Sequence, residues 1–299
     1  MLVFLVAIFS YLTLLWSFRG QIPAITINAQ NVSALVLCIL LSALVVVLGG
    51  FIWFLLLRDH KVYVSPTTVI STFMVSQFGK YIPGNIGQHV SRVVLAKRAG
   101  ISMPATINTM IIEITWGVAN GCGLALLSIL LLLTPQDIDA NYIPDKFELF
   151  LIVIFLVALP WIVIHSINAY FPNLSKRIAQ GNVIPAPKIS TAIFVSALFI
   201  ASFLIVGLIL KIQAQWFFGY PDGNVFELTC LFSIAWLAGY LVPGAPAGLG
   251  VREVMMVLFL SPALGPGTAI GLGVTLRVTT TVGDAVAFVL GVLSRKPHD

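Results

Sequence analysis

The sequence predicts an all-α polytopic membrane protein, with about six transmembrane helices and two re-entrant or broken helical segments in an inverted repeat. Three observations predict it. Hydrophobic residues make up 59% of the 299-residue chain and charged residues only 9%, against about 25% charged in a soluble domain. Apolar runs long enough to cross a bilayer recur from end to end. A Tyr–Pro-Gly–Arg motif appears twice, with Pro83 to Arg92 and Pro243 to Arg252 both nine residues apart. Paired Gly/Pro interruptions at matching places in two halves point to a transport site.

A crossing helix needs about 20 mainly apolar residues. Six segments qualify: Leu2–Phe18, Val32–Leu57, Pro104–Leu133, Glu148–Ile167, Ile189–Ile212 and Pro266–Leu293. The first starts apolar, with no basic leader and no small-residue cleavage site, so it reads as a retained span. Two further apolar segments are interrupted. Thr67–Ile86 contains Gly79, Pro83 and Gly84; Phe226–Gly250 contains Gly239, Pro243, Gly244, Pro246, Gly248 and Gly250. Irregular backbone at membrane depth is tolerated only where protein buries it or it lines a wet cavity, so both are expected to be re-entrant. The chain is expected to form a single membrane domain over 1–299, with halves of about 1–133 and 148–293.

Lys and Arg set the orientation. With both termini in the cytoplasm, Arg58, Lys61, Arg92, Lys97, Arg98, Lys176, Arg177, Lys188, Arg295 and Lys296 fall inside, and Arg19 and Lys146 outside. The net charge of +5 is therefore read as membrane topology, not as nucleic-acid binding. Three crossings separate the two Pro-Gly motifs, so one re-entrant segment enters from each side and the tips are expected to meet near the midplane. Cys38, Cys122 and Cys230 sit apart in apolar stretches and read as core residues. Trp216, Phe217, Phe218 and Tyr220 read as an interfacial aromatic belt. Gly117 and Gly121 read as helix-packing positions.

Charge inside a span costs about 2.5–3.5 kcal/mol on insertion scales and is rare without a use. Glu113 lies mid-span. Arg277 and Asp284 are two turns apart on one helix face. Arg252 and Glu253 follow the second Pro-Gly break, and Lys80 and Arg92 flank the first. Each has a structural alternative. Glu113 could pair with Arg277, Arg277 with Asp284, Arg252 could snorkel from a boundary, and Glu253 could serve only the N-terminus of its helix. Lys80 could be interfacial and His89 a satisfied loop histidine. The functional expectation is that Glu113 and Arg277 face one polar cavity with Arg252, and that Asp284 lies close by. No P-loop, dinucleotide fingerprint, metal-ligand spacing or nucleophile–base constellation is readable, so no cofactor, no metal and no enzyme activity are expected.

Gly79-Lys80-Tyr81-Ile82-Pro83-Gly84, Arg92, Glu113 and Gly248-Leu249-Gly250-Val251-Arg252-Glu253 resemble the flippase-like membrane family of the transmembrane half of lysylphosphatidylglycerol synthases, the multiple peptide resistance factors. The resemblance spans nearly the whole chain, as in a standalone member. It implies a bacterial inner-membrane protein moving a phospholipid or lipid-linked sugar between leaflets. It also implies Lys80, Arg92, Glu113, Arg252, Glu253 and Arg277 as candidates for the polar site, around the re-entrant motifs Pro83-Gly84 and Pro243-Gly244; Asp284 joins them from its place on the Arg277 face. The implied ligand is a lipid with a phosphate-containing headgroup, with a glycosyltransferase or lipid-synthesising enzyme as candidate partner. Ending at Asp299, the chain departs from the synthases in lacking their aminoacyl-transferase domain, so synthase activity is not carried over. The alternatives are a membrane-embedded lipid-modifying transferase using Glu113 or Glu253 as base, and a structural subunit of a glycosyltransferase system.

Overall fold

The computed structural model describes residues 9, 12–13, 16–21, 23, 25–81, 86–132, 146–179, 183–242 and 246–295, and these are helical with no strand among them. Most of the first expected span, Leu2–Phe18, therefore lies outside the described residues. Four long helices meet the length and apolarity needed to cross a membrane: α1 (Ala29–Asp59), α4 (Met103–Leu132), α7 (Ile189–Phe218) and α10 (Pro266–Leu293). The 25-residue α5 (Lys146–Tyr170) coincides in extent with a fifth expected crossing.

The two interrupted segments form helical hairpins. The first is α2 (Pro66–Gln77), a 3-10 turn (Phe78–Tyr81) and α3 (Gly87–Arg98). The second is α8 (Val225–Leu241), a 3-10 turn (Pro246–Gly248) and α9 (Val251–Leu264). Their arms have 12, 12, 17 and 14 residues. At 1.5 Å per residue none reaches the ~30 Å of a hydrocarbon core. The short α6 (Pro172–Ile178) completes the described helices.

Local chemistry sets the boundaries. Asn28 Oδ1 accepts the Asn31 N–H to start α1, and Ser65 Oγ accepts the Thr68 N–H to start α2, with Pro66 in its first turn. Asn224 Oδ1 accepts the Phe226 N–H to start α8. These side chains satisfy helix-end donors that hydrocarbon cannot.

The helices pack through small residues. Gly49 and Gly50 of α1 meet Phe73 and Ile70 of α2; Gly283 of α10 meets Ser42 of α1; Gly291 meets Met74 of α2; Gly207 of α7 meets Thr229 of α8. Close backbone approach replaces the hydrophobic drive that lipid does not supply. Gly117 and Gly121 behave as expected, packing on Phe199 and on Trp236 and Leu237. α1 contributes to all three apolar clusters, through Cys38, Trp53 and Ile52 respectively, and is the central helix. The aromatic belt needs correction. Phe217 is buried and Phe218 packs on Gly271 of α10, so these two rings serve helix contacts, while Trp216 is exposed.

Several basic residues gather at one end of the bundle. Lys188 at the start of α7 pairs with Asp59 at the end of α1. Burial and the neighbouring Arg98 guanidinium push the Arg295 group, beyond α10, below its usual value. At the other end, Tyr220 donates to the Ala263 carbonyl, and Gly267 packs on Gln21.

Candidate functional site

Both hairpins direct their turns at one cavity of ≈ 310 Å³, bounded by α1, α4, α7 and α10. The tips themselves, residues 82–85 and 243–245, lie outside the described residues, and with them Pro83, Gly84, Pro243 and Gly244. The flanking residues fix the geometry. Gly79 touches the start of α3 so closely that a Cβ would lie 2.7 Å from the Gly87 carbonyl. Gly239 and Gly248 cross in the same way: a Cβ on Gly248 would lie 3.0 Å from the Gly239 Cα. Gly248 and Gly250 have φ of 69° and 85°, where glycine has no Cβ penalty. Ala247 adopts φ 50°, ψ 29° without that freedom, and its carbonyl accepts Arg277 Nη1 at 3.1 Å.

Of the predicted charges, Lys80, Arg92, Glu113, Arg252, Arg277 and Asp284 line the cavity. Glu253 stands behind it, 2% exposed. Its Oε2 accepts the Gly250 N–H at 2.7 Å, closing the N-terminus of α9, and its Oε1 accepts Arg277 Nε at 2.9 Å. Arg277 Nη2 reaches the same oxygen at 2.7 Å in poorer alignment. Glu253 therefore serves both its helix end and the cavity cation.

Glu113, Arg277, Arg252 and Asp284 share the cavity as expected, but the pairs differ from the two structural alternatives. Glu113 does not pair with Arg277; its partner is Arg92, Nη1 to Oε2 at 2.5 Å. Nor do Arg277 and Asp284 pair with each other. Lys80 Nζ lies 2.7 Å from Asp284 Oδ2, and Tyr81 O–H donates to the same oxygen at 2.5 Å. The physical reason is the hairpins. Residues equidistant from a tight turn between antiparallel helices come level with each other. Glu253 and Arg277 are each twelve residues from Gly265, the turn between α9 and α10. Arg92 and Glu113 also lie on either side of a turn, Ala99–Ser102 between α3 and α4, but seven residues before it and eleven after it, so counting from the turn does not by itself pair them.

Arg92 is 1% exposed. Its guanidinium lies 4.2 Å from the centroid of Phe73 and 5.4 Å from that of Trp53. Trp53 is fixed by its indole N–H to Thr109 Oγ1 at 2.9 Å. Arg252 neither snorkels nor pairs closely. Its side chain is 12% exposed, its Nε is 3.7 Å from Glu253 Oε1, and its Nε and Nη2 are buried without a hydrogen-bond partner. Phe232 lies 5.8 Å from its guanidinium. Lys80 is a cavity residue, not an interfacial one.

Sequence reasoning passed over the neutral lining. Tyr240 stacks on Trp236, centroids 4.9 Å apart and planes 11° from parallel, and both face the cavity with Tyr81, Gln88 and His89. His89 is helical, and its Nδ1 is buried without a partner. The signal for the tyrosines was present, because Tyr81 and Tyr240 open the two copies of the motif. The lining also has apolar members, among them Val45, Ile114, Phe199 and Val206.

Among the described residues no cluster of His, Cys, Asp and Glu could hold a metal ion. Residues 2–287 match the lysylphosphatidylglycerol synthase transmembrane region. The chain belongs to that family. Its match covers both hairpins and every charged residue of the cavity. No protein of curated function matches the chain. Membership makes it a multi-pass membrane protein with a lipid-related role.

Proposed function

We propose that this family member moves a lipid with a phosphate-containing headgroup between the leaflets of the cytoplasmic membrane. Both termini face the cytoplasm, and the two hairpins enter from opposite sides as halves of an inverted repeat. The basic residues gathered at one end of the bundle support this orientation. A translocated lipid keeps its tails in hydrocarbon while its headgroup needs shelter. The cavity lining combines charged side chains with apolar ones.

The observation that carries the reading is Arg252. A buried guanidinium with two unpartnered nitrogens, facing a cavity, is costly unless something completes it. A phosphate does so well, since the guanidinium fork binds two of its oxygens. Arg277, Arg92 and Lys80 hold the surrounding field through their own partners. The chain acts as a transporter and leaves its lipid chemically unchanged.

The test is purified protein in vesicles carrying a reporter phospholipid in one leaflet. The wild type is expected to exchange the lipid without altering its mass, and Arg252→Gln to lose at least about tenfold in rate. A changed lipid mass would make the chain a lipid-modifying enzyme. Unchanged exchange in Arg252→Gln would remove the phosphate site.

A further inference from the structure

The cavity is not electrically balanced. Lys80, Arg92, Arg252 and Arg277 stand against Glu113, Glu253 and Asp284. Each carboxylate already has its own cation within 2.7 Å. Arg252 is left over, because its nearest carboxylate oxygen is 3.7 Å away and is held by Arg277. The hairpin tips outside the described residues, Ile82-Pro83-Gly84-Asn85 and Pro243-Gly244-Ala245, carry no ionisable side chain. Among the described residues the surplus is therefore one positive charge, and protonation of His89 would only increase it.

We propose that the site selects lipids whose headgroup carries one net negative charge, a phosphodiester with no compensating cation. It disfavours zwitterionic headgroups and rejects net-cationic ones, the aminoacylated lipid that gives the family its name included. This rests on reading the cavity as a headgroup site. A monoanion neutralises the surplus on Arg252. A zwitterion satisfies Arg252 but brings an ammonium with no free carboxylate to receive it, because all three are occupied. That ammonium must displace Lys80 or an arginine, or remain unpaired in a low-dielectric site. Trp236 and Tyr240 already cover one face each with the other's ring. A lysyl headgroup brings two such cations. Discrimination of this kind acts by leaving the wrong ligand's charge unpaired.

A phosphodiester monoanion is offered by phosphatidylglycerol and by a polyprenyl-phosphate sugar, and the experiment separates them. The full chain is placed in phosphatidylcholine vesicles with a trace of one reporter lipid. The four reporters are phosphatidylglycerol, a polyprenyl-phosphate hexose, phosphatidylethanolamine and lysylphosphatidylglycerol. One or both anionic reporters are expected to exchange at least about tenfold faster than the other two, and the faster one names the source. Lysylphosphatidylglycerol or phosphatidylethanolamine moving as fast as the anionic reporters overturns the selectivity while leaving transport intact. No movement of any reporter by folded protein overturns the transport reading itself, and this inference with it. A second measurement does not depend on transport. The anionic reporter that moves is expected to raise the thermal midpoint of the detergent-solubilised wild type, and lysylphosphatidylglycerol is not. Arg252→Gln should lose the shift, and an equal shift in that variant overturns the proposal.

Discussion

Glu113→Gln removes the counter-charge of a cation that has nowhere else to go. Arg92 is 1% exposed, enclosed by Phe73 and Trp53, and its Nε already lacks a partner. Arginine does not shed its proton. Breaking a buried pair by removing one partner costs about 3–5 kcal/mol, and glutamine keeps one neutral acceptor, so the lower part of that range applies. Arg92→Gln should cost less, about 2 kcal/mol, because a stranded carboxylate can neutralise itself by taking up a proton and Glu113 is 15% exposed. The double variant should cost about 2 kcal/mol, less than Glu113→Gln alone, giving a coupling of about 3 kcal/mol. The assay is equilibrium unfolding of all four proteins in detergent micelles, paired with leaflet exchange in vesicles. Stability should return in part in the double variant and translocation should not. Additive costs would refute the reasoning. So would rescue of Glu113→Gln by Arg277→Gln in place of Arg92→Gln.

Gly79→Ala puts a Cβ 2.7 Å from the Gly87 carbonyl and should cost about 1–3 kcal/mol, read as faster amide exchange in α2 and α3; unaltered exchange would mean the hairpin is less tightly closed. Ala247→Gly relieves a left-handed alanine and should gain about 1 kcal/mol, seen as a raised unfolding midpoint. Tyr81→Phe should cost about 1 kcal/mol, one hydrogen bond to Asp284, and Lys80→Met more, because it strips a buried carboxylate of its cation; the reverse order would reassign the pair. In a variant lacking the three native cysteines, single cysteines at the exposed Ser65 and Asp222 should label from the cytoplasmic and outer sides respectively, and labelling of both from one side would sink the inverted repeat.

Much of this site is legible in the sequence because hydrocarbon makes charge and irregular backbone conspicuous. Glu113, Arg277 and Asp284 stand out against apolar neighbours, and the Pro-Gly breaks in Thr67–Ile86 and Phe226–Gly250 mark where helices stop. Pairing is harder to read. The seven-residue spacing of Arg277 and Asp284 gives them a shared face but does not say which element covers each end of it. Counting outward from Gly265 finds Glu253 with Arg277, whereas Arg92 and Glu113 stand seven and eleven residues from the Ala99–Ser102 turn and no equal count matches them. The third, Lys80 with Asp284, joins residues 203 or more positions apart through helix packing, and no local count reaches it. Trp236 carries no mark in the sequence, because an aromatic residue in an apolar segment looks the same whether it faces lipid or a cavity.

α10 holds one hairpin through Arg277 and the other through Asp284, two turns along the same face. This makes the cavity charges an epistatic set. Any single neutralisation strands its partner, so substitutions should be accepted in twos: Lys80 with Asp284, Arg92 with Glu113, Arg277 with Glu253. Arg252 alone has no such constraint from folding and can be lost in one step. A library selected only for a folded, membrane-inserted protein should therefore deplete single changes at six of these seven positions and readily accept them at Arg252. The same library selected for transport should reverse that freedom.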